Sequence, residues 1–381
     1  MKTLLFIIPS RSNAGTNSSL SALYNEFKHV YDFKIITMSS KGMGTYEFLK
    51  QAFTPIGLDI YFNDYSNFKG LIKFFAFFLK CVKRLSVKLN IDFQSLWLKY
   101  IANQIEQKWH VDYIIGYQEG VAMNFAAQFK NPNKITWVHS DYARAYPNLD
   151  ELNTYNKFKR IICVSRYTLN TFITIYPSLQ EKTLTIYNLV DYNRINSLKN
   201  LDIIGTTFVP NNFTIVSMGR MDPIKRFIEI PQIAKQIKDK GLMFQWYILG
   251  GPCNKVYNDI LDKIKEYKLD GFVYLLGNKS NPYPYLSHSN LLVSTSSSEA
   301  CPMIFNEAYS CGIPVISADF GSATEFVSNG INGYVAPLSE LSEILSRLIV
   351  NKDEYDKIKH SCSFTSVDND AIIKCITQLF S

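Results

Sequence analysis

Arg220, Lys225, Glu299 and Glu307, all in the second half of the chain, have the types and spacing to hold a phosphorylated, hydroxyl-rich ligand. The run FTIVSMG leads into Gly219-Arg220-Met221-Asp222-Pro223-Ile224-Lys225. A Gly permits a sharp strand exit, and an Arg and a Lys five residues apart then put two cations beside a helix N-terminus. Charge-assisted bonds from that pair suit a pyrophosphate; two solvated loop cations are the plainer alternative. Further on stands Ser297-Ser298-Glu299-Ala300-Cys301-Pro302-Met303-Ile304-Phe305-Asn306-Glu307. Glu299 ends the loop after LLVSTS, and Glu307 lies in the helix that Pro302 opens. Eight residues are about two helical turns, which turns both carboxylates toward one side of the helix start. Carboxylates accept paired hydroxyls well, so one could hold a sugar ring and the other a ribose. The free amides of the helix N-terminus would lie between them, where phosphates fit. The alternative is a helix cap at Glu299 and a solvated Glu307.

The elements that must position these residues follow from the hydrophobic pattern. With 381 residues, 47% of them hydrophobic and 19% charged, the chain can bury a large core and is expected to form two domains. Short apolar runs bounded by turn residues alternate with segments of helical period, as in βαβ units around a parallel sheet. In the first half the runs are KTLLFIIPS, FKIIT, DYIIGY, KITWVH, RIICVS and TLTIYN. The first leads through Arg11–Ser19 into a helix with Leu20, Leu23, Tyr24, Phe27 and Val30 on one face, and further helices are expected at Phe93–Trp109 and Gly120–Phe129. In the second half the runs are FTIVSMG, FQWYILGG, FVYLLG, LLVSTS, PVISAD and NGYVAP, with helices around Phe227–Lys240, Tyr257–Tyr267 and Met303–Cys311. The expected architecture is α/β, two doubly wound domains facing across a cleft. The boundaries are 1–195 and 205–365, with Tyr192–Asn212 as linker and 366–381 as a C-terminal helix packing back on the first domain.

The net charge of +7 is unevenly spread. Residues 1–200 carry 24 Lys and Arg against 14 Asp and Glu, whereas 201–381 carry 16 against 19. Residues 68–89, FKGLIKFFAFFLKCVKRLSVKL, hold six cations and no acid. At about 100° per residue the cations share one arc, opposite Leu71, Phe74, Phe75, Phe78, Val82 and Leu85. This basic amphipathic helix could pack its apolar face on the sheet or lie against an anionic membrane. Nucleic-acid binding is not expected, since the cations cluster on one helix without interleaved exposed aromatics. The seven cysteines are scattered, with no C-x-x-C pair, which argues against a disulfide framework or structural zinc and fits a reducing cytoplasm. The apolar run Leu4–Pro9 is too short for a signal peptide and is read as a buried strand, and no run reaches the length of a membrane span.

These motifs together resemble the retaining glycosyltransferases of family 4, of the bacterial surface-polysaccharide type, which have the two-Rossmann GT-B fold. The resemblance rests on G-R-x4-K at Gly219, Arg220 and Lys225, ILGGP at 248–252, LLG at 275–277, SSEACPMIFNEAYSCGIPVI at 297–316 and GSATEFVSNGINGYV at 321–335. It implies that Arg220 and Lys225 bind the nucleotide diphosphate, that Glu299 contacts donor-sugar hydroxyls and that Glu307 binds the ribose. Gly219, Cys301, Pro302, Met303, Ile304 and Asn278 would flank the donor. The chain departs from the family pattern after the first Glu, with Ala300 and Cys301 where relatives carry Gly and an aromatic.

In the first half, Ser12–Ser18, with Gly15, takes the place of the family's Gly-rich first loop. Trp137-Val138-His139-Ser140-Asp141-Tyr142 is similar to a W-x-H-x-D-Y segment of those relatives, which would turn His139 to the cleft as a catalytic-site residue. Glu119 and Asp141 are acceptor-side candidates. The resemblance implies transfer from a nucleotide sugar, UDP-linked by preference, to a lipid-linked oligosaccharide or saccharide in capsule, exopolysaccharide or lipopolysaccharide synthesis. It implies no cofactor and no metal, and a cytoplasmic site at the inner face of the plasma membrane. Rival readings are an epimerase or phosphorylase of the same fold, or a non-catalytic nucleotide-sugar-binding subunit.

Overall fold

The structure, a computed structural model, describes residues 1–11, 15–39, 46–55, 70–89, 92–147, 150–203, 208, 213–251, 254–362 and 367–381. The chain divides into two compact units, Met1–Leu189 with Ala371–Ser381, and Val190–Asp370.

The first unit is built on a parallel sheet of six strands: β1 (Thr3–Ile8), β2 (Asp32–Thr37), β3 (Tyr113–Gly116), β4 (Lys134–Val138), β5 (Arg160–Cys163) and β6 (Thr183–Thr185), in the order β2-β1-β3-β4-β5-β6. The second has β7 (Phe213–Met218), β8 (Phe244–Leu249), β9 (Val273–Gly277), β10 (Leu291–Ser294), β11 (Val315–Ala318) and β12 (Gly333–Ala336), in the order β12-β11-β10-β7-β8-β9. Each is a Rossmann-like doubly wound sheet, and both have the α/β class read from the sequence. Strands such as β1 and β10 are continuous apolar runs because both of their faces are buried. Along β7 and β8, Ile215, Trp246 and Ile248 pack into one core cluster while Val216, Tyr247 and Leu249 pack into another. That alternation is the two-residue period of a strand sending side chains to opposite faces.

Strand order decides where ligands can sit. From β7 the chain winds outward to β8 and β9, then returns to the other side of β7 for β10, so β7 and β10 flank the switch point. In the first unit the corresponding pair is β1 and β3. Ligand crevices of doubly wound sheets lie beyond the carboxyl ends of such pairs.

Three expected element boundaries are corrected. A helix, Tyr192–Leu198, occupies the start of the supposed linker, because the Asp191 carboxylate accepts from Arg194 N at 3.0 Å and Ile195 packs with Val190 and Tyr283. The first helix, Gly15–Phe27, ends before Val30, which is exposed. The C-terminal helix is Asn369–Leu379, and the residues after it reach Lys2, just before β1, and Tyr113 of β3 in the first unit. Lys2 Nζ donates to Phe380 O at 2.9 Å, and Tyr113 OH to Ser381 O at 2.9 Å. The six described cysteines are free thiols.

Helix Gly70–Lys88 departs from the packed-helix alternative. Its buried residues include Leu79 and Ser86, while Leu71, Phe74, Phe75, Phe78 and Leu85 are exposed, so the apolar face does not lie on the sheet. No helix among the described residues is long and apolar enough to cross a membrane.

Candidate active site

The loops leaving β7 and β10 are tied together at the switch point. Gly219, at the end of β7, has φ +153° and donates its N–H to Leu249 O at 3.0 Å. A Cβ on Gly219 would meet Lys225 Cε at 3.2 Å, so the missing side chain leaves the lane in which the lysine stem lies. Gly250, at the end of β8, comes closer still: a Cβ there would sit 2.2 Å from Gly219 O. Only a residue without Cβ lets these two strand exits touch. Asp222 accepts from Lys225 N at 3.2 Å and closes the 3₁₀ turn Pro223–Lys225. Lys225 therefore stands on a tight turn, five residues before helix Ile230–Asp239 begins.

The next residue, Arg226, has left-handed backbone at φ +50°, a conformation that costs a non-Gly residue about 1 kcal/mol or more. Its guanidinium offsets that cost by clamping the β10 exit, with Nε on Thr295 O at 2.7 Å and a terminal nitrogen on Ser296 O at 2.8 Å. Thr295 Oγ1 returns a bond to Lys225 O at 2.7 Å, and Ser297 N donates to Ile224 O at 2.8 Å. None of these roles is visible in the motif spacing; the one signal for Arg226 is a second cation directly after Lys225.

Within this clamp the Lys225 ammonium pairs with a carboxylate oxygen of Glu299, their side chains only 19% and 18% exposed. Ser296 Oγ donates to the same oxygen at 2.8 Å, and Ser322 Oγ holds Glu299 O at 2.7 Å from the β11 exit. Glu299 is thus fixed on both side chain and main chain, and it is not the helix cap that spacing left open. Arg220 is set differently. Its side chain is 79% exposed and pairs with Asp222 at 3.3 Å.

Pro302 caps helix Met303–Ser310; Pro302 is buried, and Cys301, Met303 and Ile304 are half-buried around its first turn. Glu307 lies in the helix, where Tyr283 OH donates to its Oε1 at 3.4 Å. Burial of the carboxyl raises its pKa from 4.5 to about 7, opposed by the Tyr283 bond and by the charge of Arg194. The residue keeps partial surface exposure while the carboxyl itself is enclosed. The structure gives Glu299 and Glu307 separate partners. Asn278 is exposed directly after β9, and Gly15 is the first residue of helix Gly15–Phe27; Ser12–Ala14 lie outside the described residues.

The first unit gathers its own candidates at the exits of β3 and β4. Glu119, 3% exposed, accepts from His139 N at 2.8 Å and from the Ser140 hydroxyl. Burial pushes its pKa up, against the pull of those two bonds. This carboxylate braces the loop bearing His139 and does not face outward as an acceptor contact. Asp141 Oδ2 accepts from Tyr167 OH at 3.0 Å, at the start of the short helix Tyr142–Ala145. The His139 ring lies 4.9 Å from the Tyr117 ring. Burial lowers its pKa from 6.5 to about 3, so it is neutral, and its buried Nε2 has no hydrogen-bond partner among the described residues. A buried, unpaired ring nitrogen at a strand exit is equipped to bond a ligand hydroxyl.

The chain is 26% identical over 52% of its length to an uncharacterized glycosyltransferase of Methanocaldococcus jannaschii, and 25% identical over 60% to poly(ribitol-phosphate) alpha-N-acetylglucosaminyltransferase of Staphylococcus aureus. The matches span about half of those relatives, 51% and 46% of their lengths. Among solved structures, Anabaena HepE in complex with UDP and glucose superposes with a TM-score of 0.72 at 18% identity, over 99% of both chains. A mutant of S. aureus TarM in complex with fondaparinux, alpha-GlcNAc-glycerol and UDP gives 0.70 at 15% identity over 100% of both. These likenesses establish the GT-B fold. Residues 202–361, which hold the clamp of Lys225, Arg226 and Glu299 together with Glu307, match the family model described as glycosyl transferases group 1.

Proposed function

We propose that the protein is a retaining glycosyltransferase that moves a sugar from a nucleotide-diphosphate sugar, with uridine as the base, to a lipid-linked or saccharide acceptor in bacterial surface-polysaccharide synthesis. The observation that carries the reading is the Lys225–Glu299 pair, held between the β7 and β10 exits at the switch point. Lys225 and the exposed Arg220 supply charge for a diphosphate, Glu299 accepts sugar hydroxyls, and Glu307 accepts ribose hydroxyls. UDP in the HepE and TarM complexes supports the choice of base.

In this reading the departing diphosphate gains negative charge as the C1–O bond breaks. The two cations and the first-turn amides of helix Met303–Ser310 stabilise that charge without rearranging at the moment of reaction. The acceptor hydroxyl attacks from the face the diphosphate leaves and passes its proton to the departing phosphate oxygen, which retains configuration. His139, neutral and with a free ring nitrogen, bonds a donor or acceptor hydroxyl without adding charge.

The test is a thermal-shift panel of UDP- and GDP-sugars on the wild-type chain and on Glu307→Ala, because a ligand that binds only the native state raises its stability by mass action. Stabilisation by one UDP-sugar, lost in the variant, is expected. Silence across the panel overturns the donor assignment, and turnover of the donor with no acceptor present turns the reading to an epimerase.

A further inference from the structure

We infer that helix Gly70–Lys88 is an interfacial anchor that inserts its outward apolar stripe into the surface of an anionic lipid bilayer. Three arcs of the helix have separate surroundings. Leu79 and Ser86 are buried and mark the side that packs on the protein; Phe75 meets Trp97 of helix Phe93–Lys108 at 6.3 Å. Leu71, Phe74, Phe78 and Leu85, with Leu89 just beyond, fall within about 60° of one another at 100° per residue. They face solvent, with exposures from 57% for Leu85 to 87% for Leu71. Lys73, Lys80, Arg84 and Lys88 form the third arc, adjoining the apolar stripe on the side away from Leu79 and Ser86.

Soluble proteins do not leave contiguous large apolar side chains of this size in water without a partner surface. The composition of the helix identifies the partner. Residues 70–89 contain no Asp or Glu, so a cationic row runs alongside the stripe at the height where lipid headgroups would meet it. A second copy of the chain seated on the same stripe would bring two such rows together with no acid on either helix to neutralise them. An anionic headgroup layer above an acyl layer matches both rows at once. Exposed Leu96 and Tyr100 on the neighbouring helix Phe93–Lys108 add apolar and aromatic surface of the kind found at membrane interfaces.

The full chain is sedimented with vesicles of phosphatidylcholine, with and without phosphatidylglycerol, at low and high salt. Wild type is expected to pellet with the anionic vesicles at low salt and to remain in solution with the neutral ones. Phe74→Ser with Phe78→Ser should lose at least tenfold in binding. Lys73→Gln, Arg84→Gln and Lys88→Gln together should lose about a hundredfold and most of the salt dependence. All these side chains are exposed, so the melting temperature of each variant and its response to a sugar nucleotide should match wild type, which separates this test from that of the transferase reading. Wild type left in the supernatant at low salt overturns the inference. So does a stripe variant that pellets like wild type. A wild-type dimer in light scattering that dissociates in the Phe74→Ser, Phe78→Ser variant, without vesicle binding, assigns the stripe to a second copy instead.

Discussion

Lys225 and Glu299, 74 residues apart in the chain, form an ion pair across the loops that leave the neighbouring strands β7 and β10. Each charge is largely removed from water, so each depends on the other. Glu299→Gln and Lys225→Met should each destabilise the fold by about 1–3 kcal/mol, the cost of leaving one buried partner unsatisfied. The double variant should cost less than the sum. Urea denaturation of the four proteins checks this, and strict additivity would show that the two side chains do not interact. In a transfer assay each single variant should lower kcat/KM by about a hundredfold or more.

Glu307 should make both stability and donor binding sensitive to pH. Its native pKa of about 7 lies above the ordinary 4.5, so the folded protein keeps a proton that the unfolded chain has released between those values. Stability therefore falls as pH rises from 4.5 to about 7, and Glu307→Gln, which cannot ionise, should be free of this contribution. Donor affinity should run the other way, rising through pH 7 as the carboxylate becomes available to ribose hydroxyls. Thermal melts with and without sugar nucleotide across that window are the measurement; identical pH curves for wild type and variant would refute the prediction.

Adjacent glycines offer a controlled pair. Gly250→Ala places a methyl 2.2 Å from Gly219 O and must push the β7 and β8 exits apart, whereas Gly251→Ala meets nothing within 4 Å. The first should cost about 1–3 kcal/mol and weaken sugar-nucleotide binding, because Gly219 borders the Lys225 lane. The second should be close to wild type in both. Equal effects from the two variants would show that backbone approach is not the reason for glycine at 250.

At the first unit's site, removing the Glu119 carboxylate strands the N–H of His139 and the Ser140 hydroxyl. Glu119→Ala should destabilise by about 1–3 kcal/mol, while Glu119→Gln, which can still bond both groups, should lose much less. His139 has the opposite linkage to Glu307. Its native pKa of about 3 lies below 6.5, so the unfolded chain takes up a proton first and stability is lost as pH falls from 6.5 toward 3. His139→Asn should lose less stability over that range than wild type, as chemical denaturation at stepped pH would reveal.

By itself the sequence determined the strands, the fold class and the loops that matter. Parallel strands buried on both faces tend to be unbroken apolar runs, so Leu4–Ile8 and Leu291–Val293 announce themselves, and Gly219 and Pro302 mark the exits. The charged residues Arg220, Lys225, Glu299 and Glu307 were legible because each follows an apolar run or a helix-opening proline at a short, fixed offset. What spacing could not supply was pairing across distance. That Glu299 turns to Lys225 and Ser296 while Glu307 turns to Tyr283 depends on which strands are neighbours, and strand order is set by packing of the whole sheet. Arg226 carries no such signal, because its role requires a left-handed backbone and two carbonyl partners from a loop 69 and 70 residues away. The same limit applies to helix Gly70–Lys88. Periodicity separates its apolar and cationic arcs, since both follow from 3.6 residues per turn, but only the tertiary structure decides which arc the rest of the protein covers, and it leaves the apolar one in the open.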